Sequence, residues 1–560
     1  MLVLQPALWA TYNIPTSRTI NWAGKAGLDP VGGIPSGSWT VTNCNVVADG
    51  STNQRTQINS CISGAANNTV VKLPCGPIMV SGGIISMKSN VVLRGCTPLT
   101  WANFLPSADS NVTTLIIGGQ YVSFDGGAKG SSWGSSINVT SGYTKDSTSL
   151  TLSSASGLAV NDWVSLYQNE DTTLMNWRGI NYLGEDCGCS NAHAWQQYTK
   201  ITGINGNTIS IDPAVYQTSP SPSGMQVREQ TFGITNAGLE NIRLQGNNGN
   251  HRLVNIDFAK YVWVKGVETY GAGGSSGDVH IMTNFSVNTE VRDSVVHDGG
   301  GYNSGSNYGI NSYWWNSAHK WENNTVFHTR HSIILEGGGS GYAILYNYSF
   351  DNAEGEDFGF FTQDCTPNHG ANPMMNLWEG NNCQQFYSDF TQGSASYNML
   401  LRNYGSGTRA WHPASGTPYR IGPYSRDFTL VGNVSGRSSW TGGTSVCNSG
   451  SCSSPIAYEF GVHTDGSYMD SQARSTAVLH GNYDYVTDGV SVWSDTDHAL
   501  PASLYYGSKP AFFGSCAWPN IGPDVSGFVQ TMPAKERATG GTACNATGSA
   551  PGQPTGLQLH

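Results

Sequence analysis

The sequence predicts an all-β chain wound as a parallel β-solenoid with a small antiparallel β insert, on three observations. Charged residues make up only 12% of the 560 positions and glycine occupies 70 of them, a composition far from that of a helical bundle or coiled coil. Aromatics are plentiful, with 17 Trp, 26 Tyr and 17 Phe, so the chain has ample surface to bury and does not read as disordered. From about Leu239 onward one pattern returns: a few apolar residues, an Asn or Asp, then another short β run.

That third observation carries the architecture. The repeats are EVRDSVVH, WENNTVFH, ILYNYSFD, WEGNNCQQ, LLRNYGSG, LVGNVSGR and LHGNYDYV, with polar landmarks at Asp293, Asn324, Asn347, Asn381, Asn403, Asn433 and Asn482. Most intervals fall between 22 and 34 residues, the length of one solenoid coil of three short strands and three turns. Asparagine suits this place, because it tolerates turn geometry and its amide can bond the equivalent Asn one coil along. A propeller of ~40–45-residue blades does not fit the period.

Upstream, QRTQINSCISGA (Gln54 to Ala65) predicts a helix with Ile58, Cys61 and Ile62 on one stripe. TVVKLPCGPIMVSGGIISMKSNVVLRG follows as short β runs punctuated by Gly, Pro and Asn. From Ser141 to Tyr216 the texture changes, and the Asn-Gly of GINGNTISI signals a hairpin and an antiparallel insert. The expected division is an N-terminal extension (1–40), a cap with the first coils (41–140), the insert (141–217), the main β-helix carrying the site (218–535) and a linker-like tail (536–560).

Twelve cysteines in local groups predict disulfides and an exported protein: Cys44 with Cys61, Cys75 with Cys96, Cys365 with Cys383, and Cys447 with Cys452, leaving Cys516 and Cys544, with connectivity open. Cys187 and Cys189 read as a turn rather than a zinc site. The opening MLVLQPALWATYN is at most the remnant of a secretion signal, and no apolar run approaches the ~20 residues of a membrane span. A net charge of −11 argues against nucleic acid and makes a strongly anionic polymer a less natural substrate.

NVVADGSTNQRTQINSCIS followed by VVKLPCGPIMVSGGIISMKSNVVLRG resembles the N-terminal signature of the pectate-lyase superfamily of right-handed parallel β-helices. NPMMNLWEGN and HALPASLYYGSKPAFFGSCAWPNIGPDV are similar to a bacterial group within that superfamily. The resemblance spans most of residues 40 to 535 and implies a right-handed β-helix acting on carbohydrate. It does not fix the reaction, because the superfamily holds hydrolases, lyases, epimerases and phage spikes. The polygalacturonase set of NTD, DD, GHG and RIK motifs is not present in order; a DGG at Asp298 and an NHG at Asn368 stand alone.

Equivalent positions on successive coils stack ~4.8 Å apart, so counting from the landmarks predicts columns. Four residues on lie His297, His328 and Asp351, continued by Gln385 and Gly407; seven residues on lie His331 and Glu354. The longest irregular stretch, DNAEGEDFGFFTQDCTPNHGANP, gathers Asp351, Glu354, Glu356, Asp357, Asp364 and His369. Glycoside hydrolysis needs two carboxyl groups, and Asp351, Glu354 and Asp364 are the candidates, with His328, His331 and His369 as orienting groups. The same stretch reads alternatively as a calcium loop of Asp351, Glu354, Glu356 and Asp357, or as a solvated excursion. Arg330 either tunes charge in a hydrolase, neutralises a uronate in a calcium-assisted polysaccharide lyase, or pairs structurally with an acid.

Glu379 falls in a column with Val291, Leu345, Leu401 and Val431, which, apart from Glu322, suggests an inward carboxyl of raised pKa, a general-acid candidate. A one-residue slip would turn it outward and send Trp378 inward. Sugar-stacking aromatics are expected among Tyr302, Trp314, Trp315, Trp378 and Trp411, with Arg409 nearby. Aromatic-rich and lysine-poor, such a groove fits a neutral glycan. The expectation is an exported, monomeric glycoside hydrolase requiring no cofactor, against a lyase and against a non-catalytic glycan-binding or adhesive solenoid.

Overall fold

The computed structural model describes residues 14–35, 37, 39–99, 111–119, 121–127, 132–169, 193–219, 224–247, 252–273, 277–302, 305–352, 363–370, 372–390, 393–408, 416–463, 469–496, 498–541 and 543–544. Three long sheets wind around one core as a right-handed parallel β-helix. Among the described residues the first and second sheets hold twelve strands each and the third eleven. Each coil visits the first, second and third sheets in turn.

The core is built from columns of equivalent side chains. In the first sheet, Val291, Trp321, Ile344, Trp378, Leu400, Leu430 and Leu479 are register partners on successive coils. In the third, Phe386, Tyr419 and Tyr458 stack with centroids 5.1 and 5.0 Å apart. At the turn between the first and second sheets the asparagines form a continuous ladder. The side-chain amide of Asn347 donates to Oδ1 of Asn381 at 3.0 Å, Asn381 to Asn403 at 3.0 Å, Asn403 to Asn433 at 3.1 Å and Asn433 to Asn482 at 2.9 Å. Each rung also satisfies a backbone carbonyl, so buried turn groups that would otherwise be orphaned are paired.

The first predicted rung is displaced by one. Ser294, not Asp293, occupies the ladder position, its N–H donating to Oδ1 of Asn324 at 3.1 Å. Val291 therefore belongs to the inner column, whereas Glu322, Leu345, Glu379, Leu401 and Val431 face outward. The outward aliphatics are covered by two terminal segments, which pack Ile14, Trp22, Leu504, Tyr505, Phe513 and Met532 over this sheet. An ion pair fastens the cover, Lys320 Nζ lying 2.7 Å from Asp29, while within the sheet Lys320 is 3.2 Å from Glu290 and Arg292 reaches Glu322 at 3.1 Å.

The predicted helix runs Arg55–Gly64, with Ile58 and Ile62 capping one end of the core. Disulfides join Cys44–Cys61, Cys75–Cys96, Cys365–Cys383, Cys447–Cys452 and Cys516–Cys544; Cys187 and Cys189 lie outside the described residues. The insert is a closed six-stranded antiparallel barrel whose strands run from Ile137 to Glu229. Its predicted hairpin joins the strand His193–Asn205 to Thr208–Asp212 and turns at Gly206, φ 59°. The barrel leaves the third sheet after Val122–Asp125 and rejoins the first at Ile234–Glu240. Entry and exit touch, the N–H of Gly233 donating to the carbonyl of Gly126 at 2.8 Å. A Cβ on Gly126 would stand 2.1 Å from the Phe258 carbonyl oxygen, so only glycine permits this approach. The tail from residue 536 begins inside a helix, Pro533–Thr539, that packs on the strand Thr325–Phe327. No helix among the described residues is long and apolar enough to cross a membrane.

Candidate functional site

The turn between the second and third sheets repeats one backbone conformation on three successive coils, with φ 48° at Asp298, 49° at His328 and 50° at Asp351. These three are the true column, four residues beyond Ser294, Asn324 and Asn347. His328 Nδ1 is 3.0 Å from Asp351 Oδ2, and His328 Nε2 is 4.0 Å from Asp298 Oδ1. The column meets solvent: the side chains are 52, 23 and 29% exposed in that order. Tyr302 sets its ring edge-on to His328 at 5.1 Å.

His297, predicted in this column, sits one position earlier and is buried. Its ring lies in a stack with Tyr270, Phe327 and Phe350. Nδ1 is 2.7 Å from Asp298 and Nε2 is 3.0 Å from Glu268, which in turn accepts from Arg243 Nε at 2.6 Å. A file of alternating charge thus runs Arg243, Glu268, His297, Asp298, His328, Asp351. Burial alone would lower the His297 pKa, but the bonds to Asp298 and Glu268 lift it from 6.5 to about 9. Asp298 feels the opposite push: burial raises it, and the His297 bond and charge bring it below the ordinary range. The bond to Asp351 raises His328.

A pH prediction follows from His297. Its folded pKa exceeds its unfolded value, so its contribution to stability is complete below about pH 6.5 and is lost as pH rises through about 9. Thermal melts of the wild type should fall across that window, and His297→Gln should flatten the fall.

A second, buried cluster adjoins the column on the outer face of the third sheet. Arg330 Nη1 is 3.0 Å from His331 Nε2 and 3.5 Å from the Tyr308 hydroxyl. His331 lies edge-on to Tyr308 at 4.7 Å, and its ring centroid is 5.8 Å from that of His369. His369 Nδ1 is 2.6 Å from Asp389 Oδ2. Asn311 donates to Glu336 at 3.0 Å on the same face. Burial, then the Arg330 charge, holds His331 well below its ordinary pKa, so it is neutral at pH 7.

Several predicted residues lie elsewhere. Asp364 is fully buried, accepting from Ser349 at 2.5 Å and from the Gln384 N–H at 2.7 Å, and burial raises its pKa. These bonds tie it to the coil interior, away from the column. Glu379 faces outward beneath the C-terminal segment, accepting from the Leu504 N–H at 2.8 Å, the Tyr346 hydroxyl at 2.7 Å and Ser503, and burial raises it. It is Trp378 that points inward, closed to any sugar. Trp314 and Trp315 are buried among Phe258 and Phe285. Glu354, Glu356, Asp357, Arg409 and Trp411 lie outside the described residues, so of the calcium quartet only Asp351 is described, and its carboxylate is bonded to His328.

Asp298 and Asp389 are the acids that the sequence reading missed. Asp298 was visible as the fourth residue after a Ser rung. Asp389 reaches His369 across twenty residues and left no local signal.

No protein-family model matches the chain, and no curated protein sequence is similar to it. Solved structures share its shape at low identity. A tailspike of an Acinetobacter baumannii bacteriophage, in complex with a capsular saccharide of that bacterium, is 14% identical, covers 79% of this chain and 67% of its own, and has a TM-score of 0.48. A polygalacturonase from Erwinia carotovora ssp. carotovora is 11% identical over 80% of this chain and 96% of its own, with a TM-score of 0.31. A surface adhesin of Streptococcus pneumoniae is 11% identical over 80 and 91%, at 0.36. The likeness is one of fold alone, and the parallel β-helix itself rests on the three stacked sheets described above.

Proposed function

We propose that this chain is an exported carbohydrate-active enzyme that hydrolyses a polysaccharide, with its acid and base drawn from the turn column. The observation that carries the reading is the placement of two partly exposed carboxylates, Asp298 and Asp351, on either side of His328. His297, charged at neutral pH, keeps Asp298 ionised and fit to take a proton from water. His328, whose pKa the bond to Asp351 raises, supplies a proton to the departing glycosidic oxygen. Asp298 and His328, the base and the acid of this scheme, stand one coil apart, with His328 Nε2 4.0 Å from Asp298 Oδ1. Two exposed carboxylates in a protein of net charge −11 favour a neutral glycan at this tract. The disulfides support an oxidising compartment.

One observation favours the lyase as a second reading. A neutral His331 beside Arg330 pairs a base with a cation that would stabilise a uronate carboxyl. Incubation with a panel of neutral and acidic polysaccharides tests both, following reducing ends together with ultraviolet absorbance. New reducing ends without absorbance support hydrolysis; absorbance supports elimination. Binding without cleavage of any polymer would overturn both in favour of an adhesive solenoid.

A further inference from the structure

The outer face of the first sheet, near its N-terminal end, carries a pocket lined by Ile34, Trp39, Val41, Arg94, Glu240 and Lys265 among others. It lies on a different sheet from the buried third-sheet cluster and borrows no residue from the turn column. Register fixes its charges. Lys72, Arg94, Glu240 and Lys265 are partners on successive strands, so their side chains project from one face at ~4.8 Å intervals. The single carboxylate of the four is already occupied: Glu240 accepts from Arg94 Nε at 2.6 Å and from the Trp263 indole N–H at 2.8 Å. Among the described residues Lys72 and Lys265 make no ion pair, and Arg94 uses only Nε. In a protein of net charge −11 this is a local excess of positive charge.

Beside the cations stands an apolar wall. Trp39 is half-buried, fixed edge-on to Trp263 at 6.0 Å, and Val41 is 55% exposed. Gly238 is what lets the Trp263 ring lie so close, since a Cβ there would stand 2.2 Å from it. An indole edge with a shallow apolar floor and cations at one rung apiece suits a ligand with apolar ring faces and a regularly repeated anion. Runs of Asp and Glu lack the ring faces, and among ring-bearing polyanions an anionic polysaccharide is the one that fits the carbohydrate-active reading proposed above, on which this choice rests.

We infer that this face is a second binding site, for an anionic polysaccharide lying along the solenoid axis with its charged groups over Lys72, Arg94 and Lys265 and a sugar ring against Trp39. The site binds without reacting, and is separate from the hydrolytic tract.

The test is retardation of the full chain in native gels cast with polygalacturonate, dextran sulfate or uncharged dextran. The wild type should be retarded by a carboxylated or sulfated polymer and released by salt, with dextran without effect at this face. The Lys72→Gln/Lys265→Gln double variant, which breaks no ion pair among the described residues, should bind at least about tenfold more weakly. Trp39→Ala should weaken binding without changing its salt dependence, and Asp298→Asn should bind as the wild type does. Absence of retardation by both anionic polymers, or a double variant retarded like the wild type, would overturn the inference.

Discussion

Asp298→Asn is expected to lower turnover on the cleaved polysaccharide by about two to four orders of magnitude with the fold intact. An amide occupies the same space but cannot accept the proton of the attacking water. Asp298 is half exposed and sits at a turn, so the exchange leaves the core columns untouched. Asp351→Asn is expected to cost as much by a different route. It replaces the charged acceptor that raises His328 with a neutral one, so the imidazole loses its proton at lower pH and the alkaline limb of the rate profile moves toward acid. Initial rates of reducing-end release across pH measure both effects. Two variants each keeping more than about half of wild-type turnover would remove the column from the chemistry.

The largest effect on stability is expected at the asparagine ladder. Asn403 is fully buried, accepts from the backbone and side-chain amide of Asn381 at 3.0 Å each, and donates to the Trp378 carbonyl at 2.9 Å. Asn403→Ala strands those partners inside a coil where water has no entry. Each orphaned buried group costs about 1–3 kcal/mol, which places the total at roughly 3–5 kcal/mol. Chemical denaturation followed by far-ultraviolet circular dichroism measures it. A loss below about 1 kcal/mol would mean that the ladder records the winding without holding it.

The winding was legible because one residue type has one job in it. Asn324, Asn347, Asn381, Asn403, Asn433 and Asn482 are all rungs, and their spacing gives the coil length directly. The candidate site was half legible, since it inherits the register of that ladder. Where the rung was Asn, counting four residues on found His328 and Asp351; where serine did the same work, the count landed on His297 in place of Asp298. The faces were harder to read. Leu345, Leu401 and Val431 look like core by composition, and they are apolar because segments far along the chain lie over them. Glu379 reads as interior for the same reason. Hydrophobic pattern reports that a side chain is covered; it does not report by what.

The barrel shows how such a molecule accommodates added parts. Its first and last strands leave and rejoin the main winding at neighbouring glycines joined by a single backbone hydrogen bond. The guest also leans on its host: Trp163 and Tyr198 pack on Val287 and Ala318, and the Tyr198 N–H donates to Ser317 Oγ at 3.0 Å. The junction is a socket whose closure belongs to the host, two glycines of the winding bonded to each other.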